Sequence, residues 1–220
     1  MVAPPEVAAR IAADIDALPV RNTTTVRKVR RSYSRALKTA EAAYIIEVAR
    51  ALLMRGRLRW VAYELVRNHK RAFESLDDTL LDELGQGMNS WDTVDAFSRT
   101  LSGPAWLHGM ASDAQIRGWA TSDDLWWRRA ALVSTVALNM RSYGGRGETK
   151  RTLEICGMLA ADGEDMVQKA LSWALRELVW HDADAVRSFL EAHDDHLAAR
   201  VKREVRSKLT TGLKNPRRGE

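Results

Sequence analysis

Apolar residues return at helical spacing along nearly the whole chain. Val7, Ile11, Ile15 and Leu18 line one face of a first segment; Tyr44, Ile45, Val48 and Leu52 line another. The alternation of a half-buried strand is missing, and Thr23-Thr24-Thr25-Val26 is too short a β-branched run to supply it. Punctuation recurs every 12–20 residues. Pro19 closes the first segment and Arg55-Gly56-Arg57 separates 41–54 from 58–70. Gly85-Gln86-Gly87, Gly103-Pro104, Thr121-Ser122, Tyr143-Gly144-Gly145 and Asp162-Gly163 follow. Asn89 is positioned to cap the helix that begins near Trp91, with Asp92 at its third position. Ser122 is positioned to cap the next major helix, with Asp123 and Asp124 in its first turn.

Short breaks between helices fit antiparallel pairs, and pairs recurring at about 35–45 residues predict an α-solenoid. The expected fold is all-α, an α–α superhelix of HEAT-like repeats over residues 1–220 as one domain, with 212–220 a flexible basic tail. An irregular helical bundle is the alternative.

Charge refines this picture. Residues 1–70 carry 14 Lys/Arg against 6 Asp/Glu, residues 71–200 carry 13 against 21, and residues 201–220 carry 7 against 2. Two basic ends flank an acidic middle, a distribution suited to a polyanionic partner. The single cysteine, Cys156, excludes an intramolecular disulfide and a cysteine-based zinc cluster. No apolar run approaches the roughly 18 residues of a membrane span, and the N-terminus lacks the pattern of a signal peptide. The sequence reads as that of a cytoplasmic protein without a membrane partner.

Tryptophan placement carries the most chemistry. Seven of the eight tryptophans lie between residues 91 and 180. Trp91 and Asp95 are i,i+4; Trp126 and Arg129 are i,i+3; Trp173 and Arg176 are i,i+3, with Lys169 four residues before Trp173. Each set shares a helix face. The three tryptophans are 35 and 47 residues apart, about one repeat each, so stacked repeats would carry these faces onto one wall. Indole offers a flat surface to a sugar or base, and arginine a fork that matches phosphate. Taken singly, each tryptophan is accounted for by core packing and Asp95 by an ordinary surface carboxylate.

Three segments change that balance. Asn89-Ser90-Trp91-Asp92-Thr93-Val94-Asp95 resembles the Trp-Asp-x-Val-Asp motif of the AlkD-type DNA alkylation repair glycosylases, a HEAT-like-repeat family. Leu125-Trp126-Trp127-Arg128-Arg129-Ala130-Ala131 resembles that family's Trp-x-x-Arg-Ala segment, and Gln168 to Glu177 its Gln-Lys-Ala-x-x-Trp-x-Leu-Arg-Glu helix. The resemblance spans about residues 75–205. It implies hydrolysis of the N-glycosidic bond of cationic N3- or N7-alkylated purines in duplex DNA, without a base-flipping pocket, a metal or a cofactor. It implies Asp95 as the catalytic carboxylate, with Trp91, Trp173 and Trp126 against the lesion's sugar and backbone. Arg129, Arg176 and Lys169, with Arg27, Arg30 and Arg31 of the basic helix 27–35, would hold backbone phosphates, and the protein would act as a monomer. The chemistry is coherent, because a cationic base needs no general acid and a carboxylate stabilises the sugar cation that forms. Two other functions share the fold: a DNA-binding module without catalysis, and a protein-interaction scaffold.

The N-terminal third departs from the family pattern. The aromatics that precede its basic helix are missing here, and Tyr33 either substitutes for them or packs. Remaining candidates have structural explanations. His193 and His196 fit a helix end better than a metal site, Cys156 sits in an apolar run, and Gly144-Gly145-Arg146-Gly147 lacks the strand and lysine of a phosphate loop.

Overall fold

The structure, a computed structural model, describes residues 2–215. Residues 216–220 of the expected basic tail lie outside them. Among the described residues there are helices and turns and no strand. The fold class is all-α, that of an α–α superhelical repeat. The chain forms two compact units, Met1–Gly87 and Met88–Glu220.

The first unit contains α1 (Pro4–Asp16), α2 (Thr23–Ala36), α3 (Ala42–Leu53), α4 (Arg59–Arg67), α5 (Lys70–Glu74) and α6 (Asp78–Gly85). Asn22 begins α2 with a reciprocal cap. Its side chain accepts from the Thr25 N–H at 3.0 Å, and the Thr25 hydroxyl accepts from the Asn22 N–H at 3.1 Å. α1 packs on α3, and Ile11 and Ile15 of the first and Ile45 and Leu52 of the second are all buried.

The second unit contains α7 (Trp91–Phe97), a π-helical turn (Ser98–Ser102), α8 (Gly103–Leu107), α9 (Asp113–Ala120), α10 (Leu125–Asn139), a 3₁₀ turn (Arg141–Tyr143), α11 (Thr149–Met158), α12 (Asp165–Leu178), α13 (Ala183–Ala192) and α14 (Ala199–Thr211). Here the repeat is explicit. α9 packs on α10 and α11 on α12, while α10, α12 and α14 pack in succession. These three helices begin at Leu125, Asp165 and Ala199, steps of 40 and 34 residues. α10 is buried continuously from Arg129 to Asn139, as expected of a helix that is apolar nearly all round. Its polar side chains are satisfied inside the core: Ser134 and Thr135 donate to carbonyls one turn back, and Asn139 donates to the Thr152 hydroxyl at 2.9 Å.

Two caps differ from expectation. Ser90, not Asn89, begins α7, and its hydroxyl pairs with that of Thr93 at 3.0 Å. Asp124, not Ser122, begins α10 by accepting from the Trp126 N–H at 2.8 Å, while Ser122 caps Asp124 itself at 3.2 Å. In both places neighbouring polar residues offer alternative start positions one or two residues apart, and only at α10 does the cap side chain take a backbone N–H of the helix.

The π-helical turn has a local cause. Pro104 has no N–H, and its ring clashes with the carbonyl four residues back in a regular helix. The chain takes up one extra residue instead, so that the Gly103 N–H reaches the Ser98 carbonyl. Gly103 then meets α10 where a Cβ would lie 2.6 Å from the Ala137 Cβ and 2.7 Å from the Ser134 carbonyl oxygen. Ser102 and Ser134 bridge the crossing through their hydroxyls at 2.7 Å. This close approach fixes the height of α7 along α10.

Candidate active site

That height brings Asp95 of α7 opposite Arg129 of α10. Arg129 Nε donates to Asp95 Oδ1 at 2.9 Å and Nη2 to Oδ2 at 3.0 Å, a two-pronged fork. Arg129 Nη1 donates to the Met166 carbonyl of α12. The arginine is 5% exposed, and the Asp95 side chain 16%. Arg129 therefore joins three helices around one carboxylate. Three of its five N–H donors are thus engaged inside the protein, two of them on Asp95.

Burial pushes the Asp95 carboxyl above the ordinary aspartate value. The Arg129 hydrogen bonds and charge oppose that rise, as does the charge of Arg99. Each carboxylate oxygen accepts one bond from the fork and keeps further acceptor capacity.

Trp91 stands one turn before Asp95, at the start of the same helix, and is 57% exposed. It is a surface indole, not a core residue. Trp119 and Trp127 do the packing nearby: with Phe97 they form a cluster with ring centroids 5.0–6.1 Å apart. Trp173 is half-buried in α12, with its Nε1–H on Glu177 at 3.1 Å. The Arg99 guanidinium lies 5.4 Å from the Trp173 ring and 5.8 Å from the Tyr143 ring. Arg99 comes from the π-helical turn, four residues after Asp95, so α7, its π-helical turn and α12 meet at this arginine.

The family model described as DNA alkylation repair enzyme matches residues 8–209. The chain belongs to the DNA alkylation repair enzyme family. No curated protein matches the sequence. Membership of this repair family gives the protein an enzyme's role in DNA repair and DNA as its substrate.

Within this alkylation repair protein the other expected site residues fall in different surroundings. Trp126 is half-buried in the first turn of α10 and stands outside the contacts just described. Arg176 is held inside the unit, with Nε on the Ser172 hydroxyl at 3.2 Å and 4.0 Å from Glu204, and burial lowers its pKa. Lys169 turns back one turn to Asp165 at 2.6 Å. In the first unit Arg27 and Arg30 both bind Glu64 of α4, at 2.7 and 3.0 Å, and Arg30 is buried. Arg31 is exposed. Tyr33 packs rather than offering a free ring: its hydroxyl donates to Asp14 at 2.7 Å, and burial with that bond raises its pKa to about 12.

Arg99, Tyr143 and Glu177 were not among the expected site residues. Arg99 stands at i+4 from Asp95 and Glu177 at i+4 from Trp173, the spacing that singled out Trp91, so two of the three carried a usable signal. Tyr143 reaches the site through the turn after α10, and nothing in its local sequence marks it. Among the described residues no group of three His, Cys, Asp or Glu side chains is arranged to hold a metal, and no helix is long and apolar enough to cross a membrane. Cys156 is fully buried, which raises its thiol pKa.

Proposed function

We propose that this protein is a DNA glycosylase that hydrolyses the N-glycosidic bond of cationic N3- or N7-alkylated purines in duplex DNA. The observation that carries the reading is the Asp95 carboxylate, fixed by a guanidinium fork, on the same short helix as an exposed tryptophan one turn away. In this reading the C1′–N bond breaks and its electron pair neutralises the positive purine. Positive charge passes to the sugar, where Asp95 stabilises it. Water adds to C1′ and gives up a proton, leaving an abasic site and a free base. Asp95 is the catalytic residue. Arg129 is a positioning residue that keeps the carboxylate ionised and fixed despite its burial. Trp91 and Trp173 bracket the sugar and backbone, and an indole face tolerates the developing positive charge. Arg176, Lys169 and the exposed Arg31 are further proposed backbone contacts, and the protein acts as a monomer.

The test is incubation with duplex DNA carrying a single N7-methylguanine, scored for abasic sites. Wild type is expected to release the base, and Asp95→Asn to do so about 10²–10³ times more slowly, the typical cost of one preorganised electrostatic group. Wild type that binds the duplex without forming abasic sites would make the protein a binding module. Wild type with no affinity for DNA would favour the scaffold.

A further inference from the structure

Of the arginines expected to grip phosphate, Arg129 is the one bound in two prongs to a carboxylate, with a third bond to the Met166 carbonyl, while Arg176 gives its Nε to Ser172. Beside the Asp95 carboxylate stands a second guanidinium without such a fork. Arg99 makes no ion pair and no side-chain hydrogen bond among the described residues, and its Nε is buried without a partner. A buried N–H left unpaired costs roughly 1–3 kcal/mol, so native structures tolerate few such donors. The arginine is nevertheless held in place by rings, with Trp173 at 5.4 Å and Tyr143 at 5.8 Å from its Cζ. Trp173 is itself anchored through Nε1 to Glu177. Aromatic faces fix the plane of a guanidinium while using none of its N–H donors. The backbone supports the same arrangement, because Arg99 projects from the π-helical turn that Pro104 imposes.

A guanidinium flanked by rings and making no ion pair within the protein is suited to bind an anion, and its planar fork matches the two oxygens of a phosphodiester. We propose that Arg99 binds a backbone phosphate of the DNA strand that approaches Asp95, the part that sequence reasoning assigns to Arg129. The inference rests on DNA as the substrate and on Asp95 as the residue next to the reacting nucleotide. It adds a specific contact that the motif residues do not include. Arg99 then has two functions: it anchors the strand beside Trp173, and it offsets the repulsion between that phosphate and the Asp95 carboxylate.

The test reads binding, so it does not depend on excision. Duplexes carrying one neutral methylphosphonate at each position in turn around a central site are titrated by fluorescence anisotropy against wild type, Arg99→Gln and Arg99→Lys. One position is expected to weaken wild type about tenfold and to leave Arg99→Gln unaffected, since the charge it removes has already lost its partner. Arg99→Gln should also flatten the log–log salt dependence by about 1, and Arg99→Lys should restore the slope with only part of the affinity. Circular dichroism and thermal melting confirm that both variants are folded. A set of methylphosphonate effects identical in wild type and Arg99→Gln, with an unchanged salt slope, overturns the assignment. Failure of wild type to form abasic sites, with the methylphosphonate pattern intact, overturns the glycosylase reading and leaves Arg99 as a phosphate ligand.

Discussion

Replacing Arg129 with methionine separates the two roles that the residue has been given. The side chain is buried and donates two bonds to Asp95 and one to the Met166 carbonyl. Methionine fills much of the volume and removes the charge. It leaves a carboxylate whose side chain is only 16% exposed without its counter-ion, and a break of this kind costs roughly 3–5 kcal/mol. In a chain of this size that corresponds to a fall of on the order of 10 °C in melting temperature. The assay is thermal and denaturant unfolding of wild type, Arg129→Met, Asp95→Asn and the double variant. The double variant should recover much of the loss, because the buried charge is gone as well.

The pH dependence gives a second readout. Burial already raises the Asp95 carboxyl, and Arg129 is the main influence holding it down. An acid with a raised folded-state pKa binds its proton more tightly folded than unfolded, so ionising Asp95 costs stability as pH rises through that pKa. Catalysis needs the ionised form, so excision falls as pH drops through the same value, at a higher pH than an ordinary aspartate would give. Removing Arg129 moves this acid limb further upward. If Arg129 were a phosphate clamp instead, Arg129→Met would keep its stability and acid limb and flatten the salt dependence of DNA binding by about 1. That result would refute the positioning argument.

Trp91→Ala should cost under about 1 kcal/mol, because the indole is largely solvent-exposed, while excision and lesion binding fall at least about tenfold; a large loss of melting temperature with normal activity per folded molecule would make it a packing residue. Gly103→Ala should destabilise the second unit by about 1–3 kcal/mol and slow excision as α7 shifts along α10, since the added Cβ meets Ala137 and Ser134 at under 3 Å; unchanged unfolding and unchanged rate would show that the close crossing does not set the site.

Helical period made the repeat legible, because the faces that build it are local in sequence. Ile11 with Ile15, Ile45 with Val48, and the apolar run of α10 announce their burial through spacing alone. The π-helical turn was not legible as such: Gly103-Pro104 reads as a break, yet the helical path continues from α7 into α8 by taking up one residue. The motif residues were legible as a group, but their division of labour was not. Arg129 and Arg99 are both one turn from an aromatic or acidic neighbour, and nothing in that spacing says which cation is spent on Asp95. The answer depends on how closely α7 and α10 cross, which Gly103 and Ser134 decide at a distance in sequence. The basic helix shows the same limit, since the pairing of Arg27 and Arg30 with Glu64 joins residues 34 and 37 apart.

An anion set where a polyanion must dock raises an electrostatic difficulty that the arginine fork answers. Two unit charges about 6 Å apart at an effective dielectric of about 20 repel by roughly 3 kcal/mol, a hundredfold in affinity. An unpaired Asp95 would repel a neighbouring phosphate on that scale, and Asp95→Asn would then tighten DNA binding by about a hundredfold. With Arg129 bound in two prongs, most of that field is already cancelled before DNA arrives, while the carboxylate oxygens keep lone pairs for a sugar that becomes positive at closer range. Asp95→Asn should therefore change affinity for undamaged duplex by less than about threefold, even as it removes most of the excision rate. The measurement is anisotropy at low and moderate salt, with wild type and Asp95→Asn side by side. A tightening near a hundredfold would mean that the fork opens in the complex and leaves Asp95 bare, and Arg129 would then be released to the phosphate it was first expected to hold.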